Sequence, residues 1–154
     1  MPTFPNARYL FAREEVAFLR GEDHHGLHDV AIAPIVDAGQ ADLVDTEHRL
    51  TAALVLVPTP GHTPAHVSLR IESEGAAGLI TGDCVHNPVQ LRHPDLAADP
   101  FDWDTSRSSA TRRALVADLT DSGTVVLGTH FAPPTGGRIE TGPDGHVRFS
   151  PVLR

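Results

Sequence analysis

The chain contains few of the residues on which several classes of protein depend. Its single cysteine, Cys84, cannot form an internal disulfide, so nothing requires an oxidising compartment and we expect a cytoplasmic protein. Aromatic residues make up only 5% of the 154 residues, which leaves the core to aliphatic side chains and favours a sheet packed under helices. The apolar runs are too short to span a bilayer, so we expect no membrane segment.

Basic residues are scarce as well. Twelve Lys and Arg stand against twenty Asp and Glu, which gives a formal net charge of −8. This charge repels a phosphate backbone, so nucleic acid is not an expected partner. Histidine is abundant by contrast, with ten copies, and it is the commonest metal ligand in proteins. The positions of these histidines are therefore the most informative feature of the sequence.

The apolar pattern predicts a mixed α/β fold. Residues 67–71 alternate apolar and polar, which predicts a strand with Ser68 and Arg70 on a solvated face. A helix over 104–119 is predicted to begin at Asp104, Thr105 or Ser106 and to bury a stripe of Ala110, Ala114, Leu115 and Leu119. The segment 87–102 is rich in turn-forming residues and is predicted to be a long ordered loop. The other predicted strands are 7–12, 54–57, 78–80, 124–127 and a hairpin over 138–150, and the other predicted helices are 13–20 and 27–36, the second ended or kinked by Pro34.

Three predicted strands are each followed by a potential metal ligand. His62 follows strand 54–57, Asp83 follows strand 78–80, and His130 follows strand 124–127. Loops beyond strand ends gather reacting groups in α/β proteins, so these side chains can meet at one site. Two imidazoles and one carboxylate suit Zn²⁺ with one position left for water, which is typical of a catalytic site. Each residue alone is more commonly a turn residue, but together with the string Gly61-His-Thr-Pro-Ala-His66 the three residues favour descent from a metal site.

The segments around these residues resemble the later motifs of a known family. Thr59-Pro-Gly-His-Thr-Pro-Ala-His66, Thr81-Gly-Asp83 and Gly128-Thr-His130 are similar to the third, fourth and fifth motifs of the metallo-β-lactamase superfamily. The stretches 82–90, 110–113 and 130–138 resemble the branch that contains methyl parathion hydrolases and acyl-homoserine lactonases. The resemblance implies the C-terminal part of a metallo-β-lactamase αββα sandwich.

The same resemblance implies a dinuclear site. His62 would bind one zinc ion, His130 the second, and Asp83 would bridge both and act as the catalytic residue, while manganese, iron and cobalt stay open as metals. His66 would lie beside the ligands, and His86 and Gln90 would either face the substrate or be solvated loop residues. The implied activity is hydrolysis of an ester-like bond in a small molecule, such as a lactone, phosphotriester or β-lactam, by hydroxide held between two metal ions.

One family motif, His-X-His-X-Asp-His, does not occur in the sequence. We therefore expect residues 1–154 to be a single metallo-β-lactamase-like domain that lacks its N-terminal portion and leaves an apolar sheet face open to homo-oligomerisation. The alternative is a catalytically inactive fragment or packing partner. The run from His24 to Asp29 has the wrong spacing to replace the motif and is predicted to be a solvated loop. Cys84 is predicted to be a small buried side chain.

Overall fold

The computed structural model describes residues 2–21, 26–96 and 100–152, which fall into two compact units, Met1–Thr46 and Glu47–Arg154. In the first unit, strands β1 (Tyr9–Ala12) and β2 (Ala41–Val44) pair in parallel. Helix α1 (Arg13–Gly21) follows β1 directly, with two glutamates in its first turn and an arginine in its last, as the helix dipole favours. The predicted strand and helix at 7–20 are thus confirmed, whereas β2 was not predicted.

The second predicted helix of this unit is present in two pieces. A π-helical turn (His28–Ile32) leads into helix α2 (Ala33–Asp37), and Pro34 lies in the first turn of α2, where its missing N–H costs no hydrogen bond. The solvated loop predicted here is wrong at His28, whose side chain is only 18% exposed and lies 3.0 Å from Oδ1 of Asp29. His24 and His25 lie outside the described residues.

The second unit is built on a six-stranded sheet with the order β3-β4-β5-β6-β7-β8. Neighbouring strands are antiparallel except β5 and β6, which are parallel. Because β3 and β5 both oppose β4, strands β3, β5 and β6 run in one direction and end at the same edge of the sheet. The strands are β3 (Leu54–Pro58), β4 (Val67–Ser73), β5 (Ala76–Ile80), β6 (Val125–Leu127), β7 (Gly136–Thr141) and β8 (Val147–Pro151).

The core of this unit lies between one sheet face and helix α4 (Thr105–Leu119). Leu79, Val126 and Ile139 project from the sheet into an apolar cluster that includes Leu119 of α4. The predicted cap is confirmed at Asp104, whose side chain accepts a hydrogen bond from the backbone N–H of Arg107. The predicted stripe is wrong in part. Ala110 and Ala114 are exposed, and the buried residues of α4 are Ser108, Ser109, Arg112 and Leu119.

Burial on the two sheet faces differs from the sequence prediction. Ser68 was expected in solvent but is 2% exposed, because its hydroxyl bonds to Thr59 Oγ1 and donates to the carbonyl oxygen of Thr81. Arg70 on the same face is 42% exposed at its side chain, as expected. The opposite face carries aliphatic side chains that are only partly buried, namely Leu54, Leu56, Leu69, Ile71, Ile80, Val125 and Leu127.

The segment predicted as a long loop contains a short helix, α3 (Val89–Arg92), and its residues 97–99 lie outside the described part of the chain. The hairpin predicted at 138–150 is confirmed by β7 and β8. Among the described residues, no helix combines the length and the apolar composition needed to cross a bilayer.

Candidate metal centre

Three loops at one sheet edge bring the predicted ligands together. Nε2 of His62 lies 3.6 Å from Oδ2 of Asp83, and Nε2 of His130 lies 3.0 Å from Oδ1 of the same carboxylate. The loops follow β3, β5 and β6, whose common direction delivers them to this edge. The side chain of His62 is 20% exposed, whereas those of Asp83 and His130 are 44% and 48% exposed. Asp83 thus stands between the two imidazoles and is open to solvent.

Glycines beside the ligands allow the loops to approach this closely. Gly82 has a φ of +56°, and a β-carbon there would lie 2.7 Å from Nε2 of His66. Gly61 has a φ of +141°, and a β-carbon there would lie 2.4 Å from the backbone of Ser108 in α4. Any side chain at either position would be strained and would collide with its neighbour. The residue that precedes Asp83 and the one that precedes His62 must therefore be glycine.

His66 connects the first loop to the second. Its Nε2 accepts a hydrogen bond of 2.9 Å from the backbone N–H of Asp83, and its Nδ1 lies 3.1 Å from the carbonyl oxygen of Thr59. Since a carbonyl oxygen only accepts, the ring proton is on Nδ1. Burial and then the neighbouring His62 lower the pKa of His66 to about 4, so the ring is neutral near pH 7. Both nitrogens are engaged, and His66 holds the backbone of Asp83 in place.

The ring of His86 lies beside the rings of His62 and His130, whereas Gln90 makes its contacts elsewhere. The ring centre of His86 lies 5.2 Å from that of His62 and 4.7 Å from that of His130, and burial followed by these two rings lowers the pKa of His86. Gln90 is 4% exposed, and its amide oxygen accepts hydrogen bonds from the backbone of His86 and Asn87. The amide group of Gln90 is thus used within its own loop.

Two buried residues beneath His62 were not predicted as part of the site. Oδ1 of Asp102 lies 3.4 Å from Nδ1 of His62, and Oδ2 of Asp102 lies 3.3 Å from Nη1 of Arg112. The side chains of Asp102 and Arg112 are both fully buried. One signal for Arg112 was available, because it precedes Leu115 and Leu119 at helical spacing and so lies on the buried stripe of α4. Nothing local indicates Asp102, whose partners depend on the path of its loop.

Imidazole nitrogens and carboxylate oxygens are ligands that zinc and related divalent metals accept. Within residues 2–21, 26–96 and 100–152, no group of three or more His, Cys, Asp or Glu side chains is arranged to hold one ion. Instead, each oxygen of Asp83 faces a different imidazole. Cys84 is not part of this donor set. As predicted it is buried, and burial raises the pKa of its thiol to about 11.

A family model described as the metallo-beta-lactamase superfamily matches residues 1–130 of the chain. This match covers most of the chain and includes His62, Asp83 and His130. The chain belongs to the metallo-β-lactamase superfamily. No curated protein matches it by sequence.

Solved structures of this fold resemble the chain over most of its length. The hydrolase AbOPH of the beta lactamase superfamily has a TM-score of 0.82 and 23% identity, covering 97% of this chain and 56% of its own. AidC, a dizinc quorum-quenching lactonase in complex with a product, has a TM-score of 0.79 and 21% identity, covering 99% of this chain and 57% of its own. An N-acyl homoserine lactone hydrolase with its product at the catalytic metal centre has a TM-score of 0.64 and 18% identity, covering 85% and 50%.

These structural neighbours are hydrolases, and lactonases are among them. At identities below 25%, the likeness establishes the fold, so the metallo-β-lactamase fold predicted from the sequence is confirmed. The chain spans a little more than half the length of the first two neighbours.

Proposed function

We propose that this chain supplies part of a metal-dependent hydrolytic site for an ester-like bond in a small molecule, of the lactone, phosphotriester or β-lactam class. The observation that supports this most is the carboxylate of Asp83, each oxygen of which faces a different histidine, His62 or His130. We also propose that residues 1–154 belong to one metallo-β-lactamase-like domain. The family match supports this, since it runs from residue 1 to residue 130 and so covers the first compact unit and most of the second.

His62, Asp83 and His130 would hold the metal. Zinc is favoured because the structural neighbour AidC is a dizinc lactonase, while manganese, iron and cobalt stay open. When bound, a divalent metal supplies Lewis acidity and lowers the pKa of water at the site. The residues of the chain hold the ligand side chains in position. Asp83 would link the two histidines and, being 44% exposed, stays accessible to a substrate. His66 fixes the backbone of Asp83 from behind.

Metal content and turnover of the 154-residue chain test this function together. Zinc per chain would be measured by mass spectrometry, alongside hydrolysis of a chromogenic lactone, a phosphotriester and a cephalosporin. We expect bound zinc and turnover of one substrate class, both lost in Asp83→Ala and His130→Ala. His146→Ala is the matched control, because His146 is an exposed residue of the β7–β8 turn. A chain that holds no zinc and turns over none of the three substrates would contradict the proposal.

A second function is favoured by a separate observation, the partly exposed aliphatic face of the sheet formed by β3 to β6. A sheet face of this kind favours association with another polypeptide, including a second copy of the chain. Under this alternative the chain acts as a packing partner and has no activity of its own. Light scattering at high concentration tests it. Self-association without zinc or turnover supports the packing role, whereas a monodisperse monomer counts against it.

A further inference from the structure

Asp102 is a fully buried carboxylate just below the proposed metal ligands. Burying an anion is unfavourable unless it is paired on more than one side. Oδ2 of Asp102 has Arg112 as its partner, and Oδ1 faces Nδ1 of His62 at 3.4 Å. Within the described part of the chain, this oxygen and this nitrogen are both buried, and neither has a hydrogen-bond partner. Each is therefore the available partner of the other.

This pairing determines which nitrogen of His62 can donate electrons. A neutral imidazole carries one N–H and one lone pair, and an ionised carboxylate can only accept. A proton on Nδ1, on the side of Oδ1 of Asp102, would leave the lone pair on Nε2. That nitrogen faces Oδ2 of Asp83, another acceptor, at 3.6 Å. Two donor atoms bound to one zinc ion at about 2.0–2.2 Å lie about 3.3–3.6 Å apart at a tetrahedral angle. The spacing of Nε2 and Oδ2 fits a shared divalent cation.

Asp102 is held rigidly by its surroundings. Arg112, which projects from α4, also donates to backbone carbonyl oxygens of the preceding loops, at 2.9 Å to Pro94 and 3.4 Å to Cys84. The backbone beside Asp102 is tied to the loop of His62, since the N–H of Trp103 donates to the carbonyl oxygen of His62 at 3.0 Å. The carboxylate and the imidazole are therefore placed by the same fixed frame of helix and loop.

We propose that Asp102, held by Arg112, is the positioning residue of His62, keeping the ring proton on Nδ1 so that Nε2 is presented to a divalent metal. The metal part of this inference rests on the proposed function, whereas the tautomer part does not. Carboxylates and carbonyls in contact with metal-binding histidines commonly fix the tautomer in this way, and their loss typically weakens metal binding about 10–100-fold.

The tautomer of His62 can be read directly by NMR in the metal-free chain. Two-bond ¹H–¹⁵N correlation spectra distinguish the two neutral tautomers, and the His62 signals are assigned as those lost in His62→Gln. We expect the Nδ1–H tautomer in the natural chain and loss of that preference in Asp102→Ala. An Nε2–H tautomer in the natural chain would overturn the inference. This measurement decides the matter even if variants at Asp102 fail to fold or the chain holds no metal.

Zinc affinity gives the second readout, measured by competition with a chromogenic chelator. Asp102→Asn is expected to bind zinc about 10–100-fold more weakly than the natural chain. Asp104→Asn is the matched control, because it makes the same chemical change two residues away and asparagine still caps α4. Equal affinities in the two variants would overturn the positioning role. If the natural chain binds no zinc, the proposed function fails, and the NMR result alone decides the inference.

Discussion

The two histidines that face Asp83 are held in opposite ways. The side chain of His62 is 20% exposed, and behind it lie Asp102 and Arg112, both fully buried. The side chain of His130 is 48% exposed, and its ring contacts the carboxylate of Asp83 and lies beside the ring of His86. We call the first set the buried arm (His62, Asp102, Arg112) and the second the exposed arm (His130 and its loop).

The two arms differ in whether their interactions contribute to the stability of the fold as well as to the site. A buried ionic network contributes to folding as well as to the site, because removing one member leaves another charge without a partner in a low dielectric. An exposed side chain is solvated in either state, so its removal changes the site and leaves folding nearly unaltered. If the chain binds a metal as proposed, the buried arm would couple that binding to stability, whereas the exposed arm would affect the site alone.

The largest effect is expected from breaking the buried arm at Arg112. Arg112→Met keeps most of the side-chain volume but leaves Oδ2 of the buried Asp102 carboxylate without its cationic partner. We expect the free energy of unfolding, measured by urea denaturation in the presence of a chelator, to fall by about 3–5 kcal/mol. Arg113→Met is the control, since the neighbouring Arg113 is 53% exposed and pairs with Asp95 at the surface. Its effect should be within about 1 kcal/mol. Equal losses in the two variants would contradict the assignment of the buried arm.

The second prediction compares one histidine from each arm. His62→Ala leaves Oδ1 of Asp102 without a partner, so the metal-free chain should lose about 2–3 kcal/mol of stability. His130→Ala removes a half-exposed ring and should change the stability of the metal-free chain by no more than about 0.5 kcal/mol. Under the proposed function, added zinc should stabilise the natural chain against heat, and both variants should lose this stabilisation. A His130→Ala variant as unstable as His62→Ala would remove the distinction between the arms.

The third prediction concerns the pH dependence of stability and His66, which supports both arms through the backbone of Asp83. The folded-state pKa of His66 is about 4 against an ordinary 6.5, so between these values the unfolded chain binds a proton that the folded chain does not. Stability from this group is fully present above pH 6.5 and is lost as the pH falls toward 4, by about 3 kcal/mol. In metal-free urea titrations, His66→Gln should flatten this part of the pH profile. His146→Gln should leave it unchanged, and a profile unaltered by His66→Gln would contradict the assignment.

The proposed metal ligands, including His62 of the buried arm and His130 of the exposed arm, could be predicted from the sequence. The strands before His62, Asp83 and His130, and the cap of α4 at Asp104, are encoded in short apolar runs and local turn chemistry. Because the strands run in the same direction, their following loops lie at the same edge of the sheet. The position of each predicted ligand therefore followed from local pattern together with sheet topology.

The buried polar residues, including Asp102 and Arg112 of the buried arm, could not be predicted in the same way. Apolar periodicity assigns polar residues to solvent, so it predicted that Ser68 is exposed. On α4 it predicted that Ala110 and Ala114 are buried, although Arg112 is buried instead. These polar residues are buried because partners from distant parts of the chain satisfy them, such as Thr81 for Ser68 and Asp102 for Arg112. Such pairings are tertiary, and no local pattern specifies them.

The smallest effect is expected in the reactivity of Cys84, which reports on the buried arm. The carbonyl oxygen of Cys84 accepts a hydrogen bond from Arg112, and its thiol is buried. Burial raises the thiol pKa from 9.0 to about 11, which lowers the reactive thiolate fraction at pH 8 about 100-fold. A disulfide reagent such as Ellman's reagent should therefore modify the native chain much more slowly than the urea-unfolded chain. Arg112→Met should accelerate the native reaction by loosening the surrounding loops, while Arg113→Met should not. Rapid labelling of the native chain would show that the buried arm is open to solvent and would remove the basis for contrasting it with His130.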